Sequence, residues 1–302
     1  MNLTVPGSYE NITTKLRDEF QKGIDDVQSI SMPIVDTIQS SGKGELHNWL
    51  EFVPGLREWT NNDLRVIRNV QTKEYYVANR RFENTIEIDV DDAEDNALNQ
   101  YSYVAKGMGR EAELLADQLV AELFNNGFAS QTTYDGEYWF SNSHSVGLST
   151  VDNLYTDALS QTSFIAAYHA IRSFTIQPDA ESTARPLNPM GKYVLMVPTE
   201  LEVTAREIVE LDYASSGASN KTKGLAEVMV NPWLTDANNW FLMNTSTFKP
   251  VMYQERLAPS FIEKTPANSD GCFYGDKIQY GIKARGAALP TFPWLCVGSL
   301  VS

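Results

Sequence analysis

The stretch YDGEYWFSNSHS at 134–145 brings together an aspartate, serines and a histidine. Asp135, Ser143 and His144 are the residue types of a hydrolytic centre. In such a centre a serine hydroxyl attacks, an imidazole takes its proton and a carboxylate orients the imidazole. The spacing argues for something else. Ser143 and His144 are adjacent, so their side chains point apart, where a nucleophile and its base must converge. Asp135–Gly136 is a strong turn signal between Tyr134 and the Tyr138–Trp139–Phe140 run. The expectation is therefore a hairpin turn whose aromatics plug the core. Ser141, Asn142 and Ser143 would bond to nearby backbone in the next turn. His144 would be a hydrogen-bonded structural residue. Tyr134, Asp135, Gly136, Phe140 and His144 are the residues expected to build this loop. A hydrolase using Ser143, His144 and Asp135 stands as the competing reading.

Other chemistry leaves no trace in the motifs. No GxxxxGK[ST] phosphate loop occurs, and the KGMGRE glycines open no strand–turn–helix unit. GxSxG and HExxH are also missing. His47, His144 and His169 share no ligand spacing. The acidic run EIDVDDAEDN at 87–96 lacks the glycine and closing glutamate of a calcium loop. It reads as a solvated strand end leading into a helix, where carboxylates suit the helix dipole. No catalytic, cofactor-binding or metal-binding residue is assigned, and no cofactor is expected.

Composition narrows the class. The chain has 302 residues, 42% of them apolar, enough for a substantial core. Its net charge is −15, and its best basic clusters are the pairs Arg65/Arg68 and Arg80/Arg81. A protein gripping nucleic acid through phosphates would show a denser basic patch. Two cysteines, Cys272 and Cys296, are read as reduced and structural. The N-terminus has no basic region followed by an apolar stretch, and no run reaches the length of a membrane span. The expectation is a soluble protein made in the cytoplasm.

These residues need elements to hold them. Ile12, Leu16, Phe20 and Ile24 recur every four positions and predict a helix over 10–28, followed by a break at SSGKGE. This N-terminal stretch is too poor in apolar residues to fold alone. Residues 46–98 begin with Trp49, Phe52 and Trp59, then give three β-like runs, DLRVIRN, KEYYVAN and RFENTIEIDV. A ribbon of two or three such strands is marginal by itself. The clearest helix spans 101–126, with Val104, Met108, Ala112, Leu115, Leu119 and Leu123 along one face. Gly107 and Gly109 weaken its start, and Asn126–Gly127 stops it. A helix at 163–174 and a buried strand at 192–197 follow. A second helix then opens on a capping box of Thr199 and Glu202. EVMVNPWL, NWFLMN and a strand-rich tail complete an α+β chain whose tail returns beside the long helix.

Four segments, in order, carry a family resemblance: WLEFVPGLREW at 49–59, NRRFENTIEID at 79–89, YDGEYWFSNSHS, and GKYVLMVPTELEVTAREIV at 191–209. The chain resembles the major head subunits of Mu-like phages and prophages, over about residues 45–302. Glu51 stands where that family usually has glycine, and Ser145 where it commonly has proline. The resemblance implies the HK97-type capsid fold. Residues 1–45 would be an N-terminal arm reaching over a neighbour, and 46–98 an extended E-loop. Residues 99–150 would be a peripheral domain with its spine helix, and 151–249 an axial domain. Residues 250–302 would return as peripheral strands. The implied function is a non-enzymatic major capsid protein. Many copies, as hexamers and pentamers, would form an icosahedral shell around double-stranded DNA held without sequence specificity. A separate scaffold protein, a portal and a decoration protein would be the other partners, with no membrane involved. The location would be the virion capsid, assembled in the bacterial cytoplasm. Trp49, Phe52, Trp59, Arg65 and Arg68 are the expected intersubunit anchors, since aromatics and arginine dominate interface energetics. An encapsulin-like compartment of the same fold is the nearest alternative.

Overall fold

The computed structural model describes residues 6–50, 72–89, 91, 98–178, 183–188, 190–213, 217, 219–264, 275 and 277–301. The four-residue repeat near the N-terminus forms helix α1 (Pro6–Asp25). Its buried face, Ile12, Leu16 and Phe20, packs on the long helix α2 (Leu98–Asn126) of the same chain. The N-terminal helix thus finds its core at home, although the resemblance implied an arm laid over a neighbour. The two helices touch through backbone: a Cβ on Gly109 would stand 2.1 Å from the Phe20 carbonyl oxygen. Helix α2 is 29 residues long, about 43 Å at 1.5 Å per residue. Met108, Leu119 and Leu123 of its expected stripe are buried, whereas Val104 is exposed.

A four-stranded sheet lies against these helices. It is made of β1 (Val35–Gln39), β4 (Arg80–Asp89), β13 (Val251–Lys264) and β14 (Lys277–Pro290), in the order β1-β13-β14-β4. β1 runs parallel to β13, and the other pairs are antiparallel. The expected ribbon is therefore shorter than residues 46–98. Only β2 (Gly44–Leu50) and β3 (Thr72–Ala78) form a separate hairpin, with Leu50 opposite Thr72. RFENTIEID is β4 of the larger sheet. Its Ile88 is wholly buried against Ile278, Leu16 and Ala105, an anchorage that a free ribbon would lack. The run DLRVIRN lies outside the described residues.

The second sheet has the order β11-β10-β12-β15-β7, from β7 (Leu154–Tyr155), β10 (Tyr193–Val197), β11 (Glu227–Val230), β12 (Trp240–Asn244) and β15 (Cys296–Ser299). Every residue of β10, β12 and β15 is buried, so their continuous apolar runs fit a sheet covered on both faces. Leu195, Val197, Leu242 and Val297 face α3 (Gln161–Ser173) and α4 (Glu202–Val209). Val194, Met196, Phe241, Met243 and Cys296 face the end of α2 and the aromatic block at 139–140.

Two expectations need correction. The tail does not stay with the peripheral strands: β15 inserts between β12 and β7, where its apolar run is fully enclosed. Thr199 and Glu202 make no capping box. The chain leaves β10 through Pro198 into a tight turn at Thr199–Leu201, and α4 starts only at Glu202. The Glu202 carboxylate bonds Arg206 instead, at 2.9 Å. A reciprocal capping box does open α3, made by Ser160 and Ser163.

Candidate functional site

The 134–145 block bridges the two sheets. Helix α2 ends at Asn126, and the chain turns back along residues 127–141. Thr132 pairs with Tyr138 across the turn, and Gly136 takes φ 90°, which glycine adopts without strain. Of the aromatic run, Trp139 and Phe140 are buried, while Tyr138 points outward. The Phe124 ring lies 4.6 Å from that of Trp139, and the Phe241 ring 5.2 Å from that of Phe140. Phe140 is held between two glycines. A Cβ on Gly127 would stand 2.6 Å from its ring, and one on Gly298 2.7 Å. Tyr134 faces the other core, beside Trp49 and Phe292.

The polar residues lock this arrangement. Asp135 Oδ1 accepts from Thr133 Oγ1 and from the Glu137 amide. Asp135 Oδ2 lies 2.7 Å from His144 Nδ1. His144 Nε2 lies 3.1 Å from the Trp139 carbonyl oxygen, and the imidazole is completely buried. Burial raises the Asp135 carboxyl, but hydrogen bonds from His144, Thr133 and the Glu137 amide outweigh it. They leave the group below its ordinary value. His144 heads β5 (His144–Val146), which pairs with β6 (Ser149–Val151).

Asn153 completes the knot, and sequence reasoning missed it. Its Nδ2 donates to the carbonyls of Trp139 and Pro293, and its Oδ1 accepts from the Ser141 amide at 2.8 Å. Nothing local in VDNLY marks that role, because its partners lie 12 to 140 positions away.

This geometry does not suit hydrolysis. His144 has the carboxylate neighbour of a catalytic base, but its other nitrogen is committed to a carbonyl. Ser143 is exposed just before β5 and bonds Ser141 Oγ at 3.1 Å, not the His144 ring. The other histidines lie apart: His47 meets Gln254 at 2.9 Å, and His169 packs on the Tyr168 ring. Among the described residues no cluster of His, Cys, Asp or Glu could hold a metal ion. Cys296 is free and fully buried, and burial pushes its thiol up; Cys272 lies outside the described residues.

The expected anchors divide. Phe52, Trp59, Arg65 and Arg68 lie outside the described residues. Trp49 is half-buried against its own chain, 5.0 Å from the Phe292 ring and 6.4 Å from that of Tyr134. It pins the hairpin stem to its own subunit, a role that the sequence alone did not separate from an intersubunit one. On the opposite face of the stem, Leu46 and Tyr76 are direct cross-strand partners and both exposed.

The architecture recurs in solved shells. The procapsid protein of bacteriophage JBD30 matches with a TM-score of 0.59 at 23% identity, covering 98% of this chain and 75% of that one. The virus-like particle from Pyrococcus furiosus matches with a TM-score of 0.54 at 14% identity, covering 95% and 98%. The fold is thus that of the HK97-type capsid proteins, a mixed α+β shell subunit. Sequence likeness narrows it further. The chain belongs to the family of the Mu-like prophage major head subunit gpT, whose pattern matches residues 9–165, 154–234 and 235–300. It is 26% identical to the major capsid protein of Escherichia phage Mu, over 95% of this chain and 71% of that protein. It is also 26% identical to the Mu-like prophage FluMu major head subunit of Haemophilus influenzae, over 88% of this chain and 64% of that protein. The family is one of structural capsid proteins that assemble as multi-copy shells.

Proposed function

We propose that this chain is the major head subunit of a tailed, Mu-like phage or prophage. Its copies, arranged as hexamers and pentamers, enclose double-stranded DNA without reading its sequence. Assembly takes place in the bacterial cytoplasm, on a separate scaffold protein and around a portal, and a decoration protein can cover the finished shell. The observation that carries this reading is likeness to head subunits and shells along nearly the whole chain. The β2–β3 hairpin supports it. That hairpin belongs to neither large sheet, and one face of its stem is exposed. A two-stranded element is marginal alone, and a second copy of the chain would give it the cover it lacks. Among the described residues no helix is long and apolar enough to cross a membrane.

In this reading Phe52, Trp59, Arg65 and Arg68 engage neighbours. Tyr134, Asp135, Gly136, Phe140 and His144 hold the subunit rigid. The test is to replace residues 51–71 with a short Gly/Ser linker, leaving both stem strands intact. The purified variant should unfold at the same urea concentration as the parent. Electron microscopy should find shells for the parent and none for the variant. Normal shells from the variant would refute a role for this segment between subunits. A parent chain that stays monomeric under all assembly conditions would refute the shell reading itself.

A further inference from the structure

The His144 ring is bracketed by two hydrogen-bond acceptors, and that constrains its protons. Nε2 faces the Trp139 carbonyl, which can only accept, so Nε2 must carry hydrogen. Nδ1 faces Asp135 Oδ2 at 2.7 Å, too close for two lone pairs, so a proton lies between them. Asp135 Oδ1 already accepts two hydrogen bonds, which favours the ionised carboxylate and leaves that proton on the ring. Water does not relieve the constraint, since the side chains of His144 and Asp135 are 0% and 3% exposed.

We propose that His144 is a buried imidazolium paired with Asp135, and that this proton locks the 134–153 block between the two sheets, making the subunit sensitive to alkali. Other charged groups near the pair are few among the described residues. Glu137, on the same turn, has its carboxylate 3.4 Å from Ser141 Oγ. Lys73, on β3, has its ammonium 5.9 Å from the Tyr134 ring centre. Asn153 and the Pro293 carbonyl, which close the knot from the other side, are neutral. None can take over the bridging proton. The stabilisation is full below about pH 6.5, where the unfolded imidazole also holds both protons, and it is lost as pH rises from there until the folded ring gives one up. One acceptor, the Asp135 carboxylate or the Trp139 carbonyl, would then face a bare ring nitrogen.

Asp135→Asn isolates the effect. An amide at 135 can donate to a neutral ring nitrogen while its carbonyl keeps the bonds from Thr133 and the Glu137 amide. The variant should retain the knot without the extra proton. Urea unfolding of the parent, followed from about pH 5 to alkaline pH, should lose roughly ten- to a hundredfold in folding equilibrium constant relative to Asp135→Asn, about one buried hydrogen bond. Parallel profiles for the two proteins would overturn the proposal. Nitrogen-15 spectra of the parent give a second readout that needs no stable variant at 135. At neutral pH both ring nitrogens of His144, assigned by their loss in His144→Gln, should resonate in the protonated range. One protonated and one unprotonated nitrogen would equally overturn it.

Discussion

Gly107 and Gly109 lie two residues apart on helix α2, yet alanine at these positions is expected to have opposite effects. A Cβ on Gly107 would meet nothing within 4 Å. Gly107→Ala therefore removes backbone freedom at no steric cost and should stabilise by about 0.5–1 kcal/mol. A Cβ on Gly109 would lie 2.1 Å from the Phe20 carbonyl oxygen and 3.1 Å from the Gly23 Cα. Both obstacles are backbone atoms of α1, so no side-chain rotation relieves them. Restoring an ordinary contact moves α1 off α2 by roughly 1 Å, and a gap of that size forfeits a quarter to a half of each dispersion well it opens. The losses fall on Ile12, Leu16 and Phe20, whose burial against α2 and the β4–β14 pair holds α1 in place. Overpacking of this kind costs about 1–3 kcal/mol, more than the helix propensity returns. Urea unfolding of the two variants should separate them by about 1–3 kcal/mol, the overpacking cost, since helix propensity favours alanine equally at both positions. Hydrogen exchange should show the loss in Gly109→Ala concentrated in α1. If Gly109→Ala proves as stable as Gly107→Ala, the helices do not cross at this glycine contact.

Two further outcomes follow from single residues. Glu45 accepts hydrogen bonds from the Ser40 hydroxyl and from the Ser41 and Gly42 amides, which together hold its carboxyl down at about 2. A depressed carboxylate stabilises above its unfolded value of 4.5 and loses that contribution as pH falls toward about 2. Hydrogen exchange in the β1–β2 turn should therefore rise across that window in the parent and stay level in Glu45→Gln; equal slopes would sink the assignment. Asn153→Ala leaves the Pro293 carbonyl and the Ser141 amide without their buried partner, and should cost about 3 kcal/mol in urea unfolding. A cost below about 1 kcal/mol would mean that water replaces the side chain.

Periodic features were legible in the sequence, and contacts distant in the chain were not. The spacing of Ile12, Leu16 and Phe20 predicted α1, and the Met108–Leu123 stripe predicted α2, because one buried helix face leaves a local repeat. The Asp135–Gly136 turn was equally local. The reach of the ribbon was not, since β4 looks like any half-buried strand until β14, nearly two hundred positions away, pairs with it. Val104 was placed in the core by spacing alone and is exposed, which periodicity cannot distinguish at a helix end. The capping box at Thr199 had the right residue types, but Pro198 and the Arg206 guanidinium direct the chain otherwise. Asn153 carried no signal, because an asparagine at a turn and one bridging three backbone groups look the same in the sequence.

The distant pairings have a mechanical consequence. β1, early in the chain, pairs with β13, while β15, at its end, lies between β12 and β7. The chain passes between the four-stranded and five-stranded sheets from β4 to β7, from β12 to β13 and from β14 to β15. Between them stands the Trp139–Phe140 plug, touching the end of α2 on one side and β12 on the other. A hinge between the sheets would have to withdraw Phe140 from the Gly127–Gly298 slot and break the carbonyl and amide bonds of Asn153 together. Close-packed interiors of this kind shift between discrete arrangements rather than bend continuously. Changes in subunit shape should therefore fall at the β2–β3 hairpin, whose strands pair with neither large sheet and which is held to the subunit by side chains, Trp49 on Phe292 and Gln254 on His47 and the Val77 carbonyl.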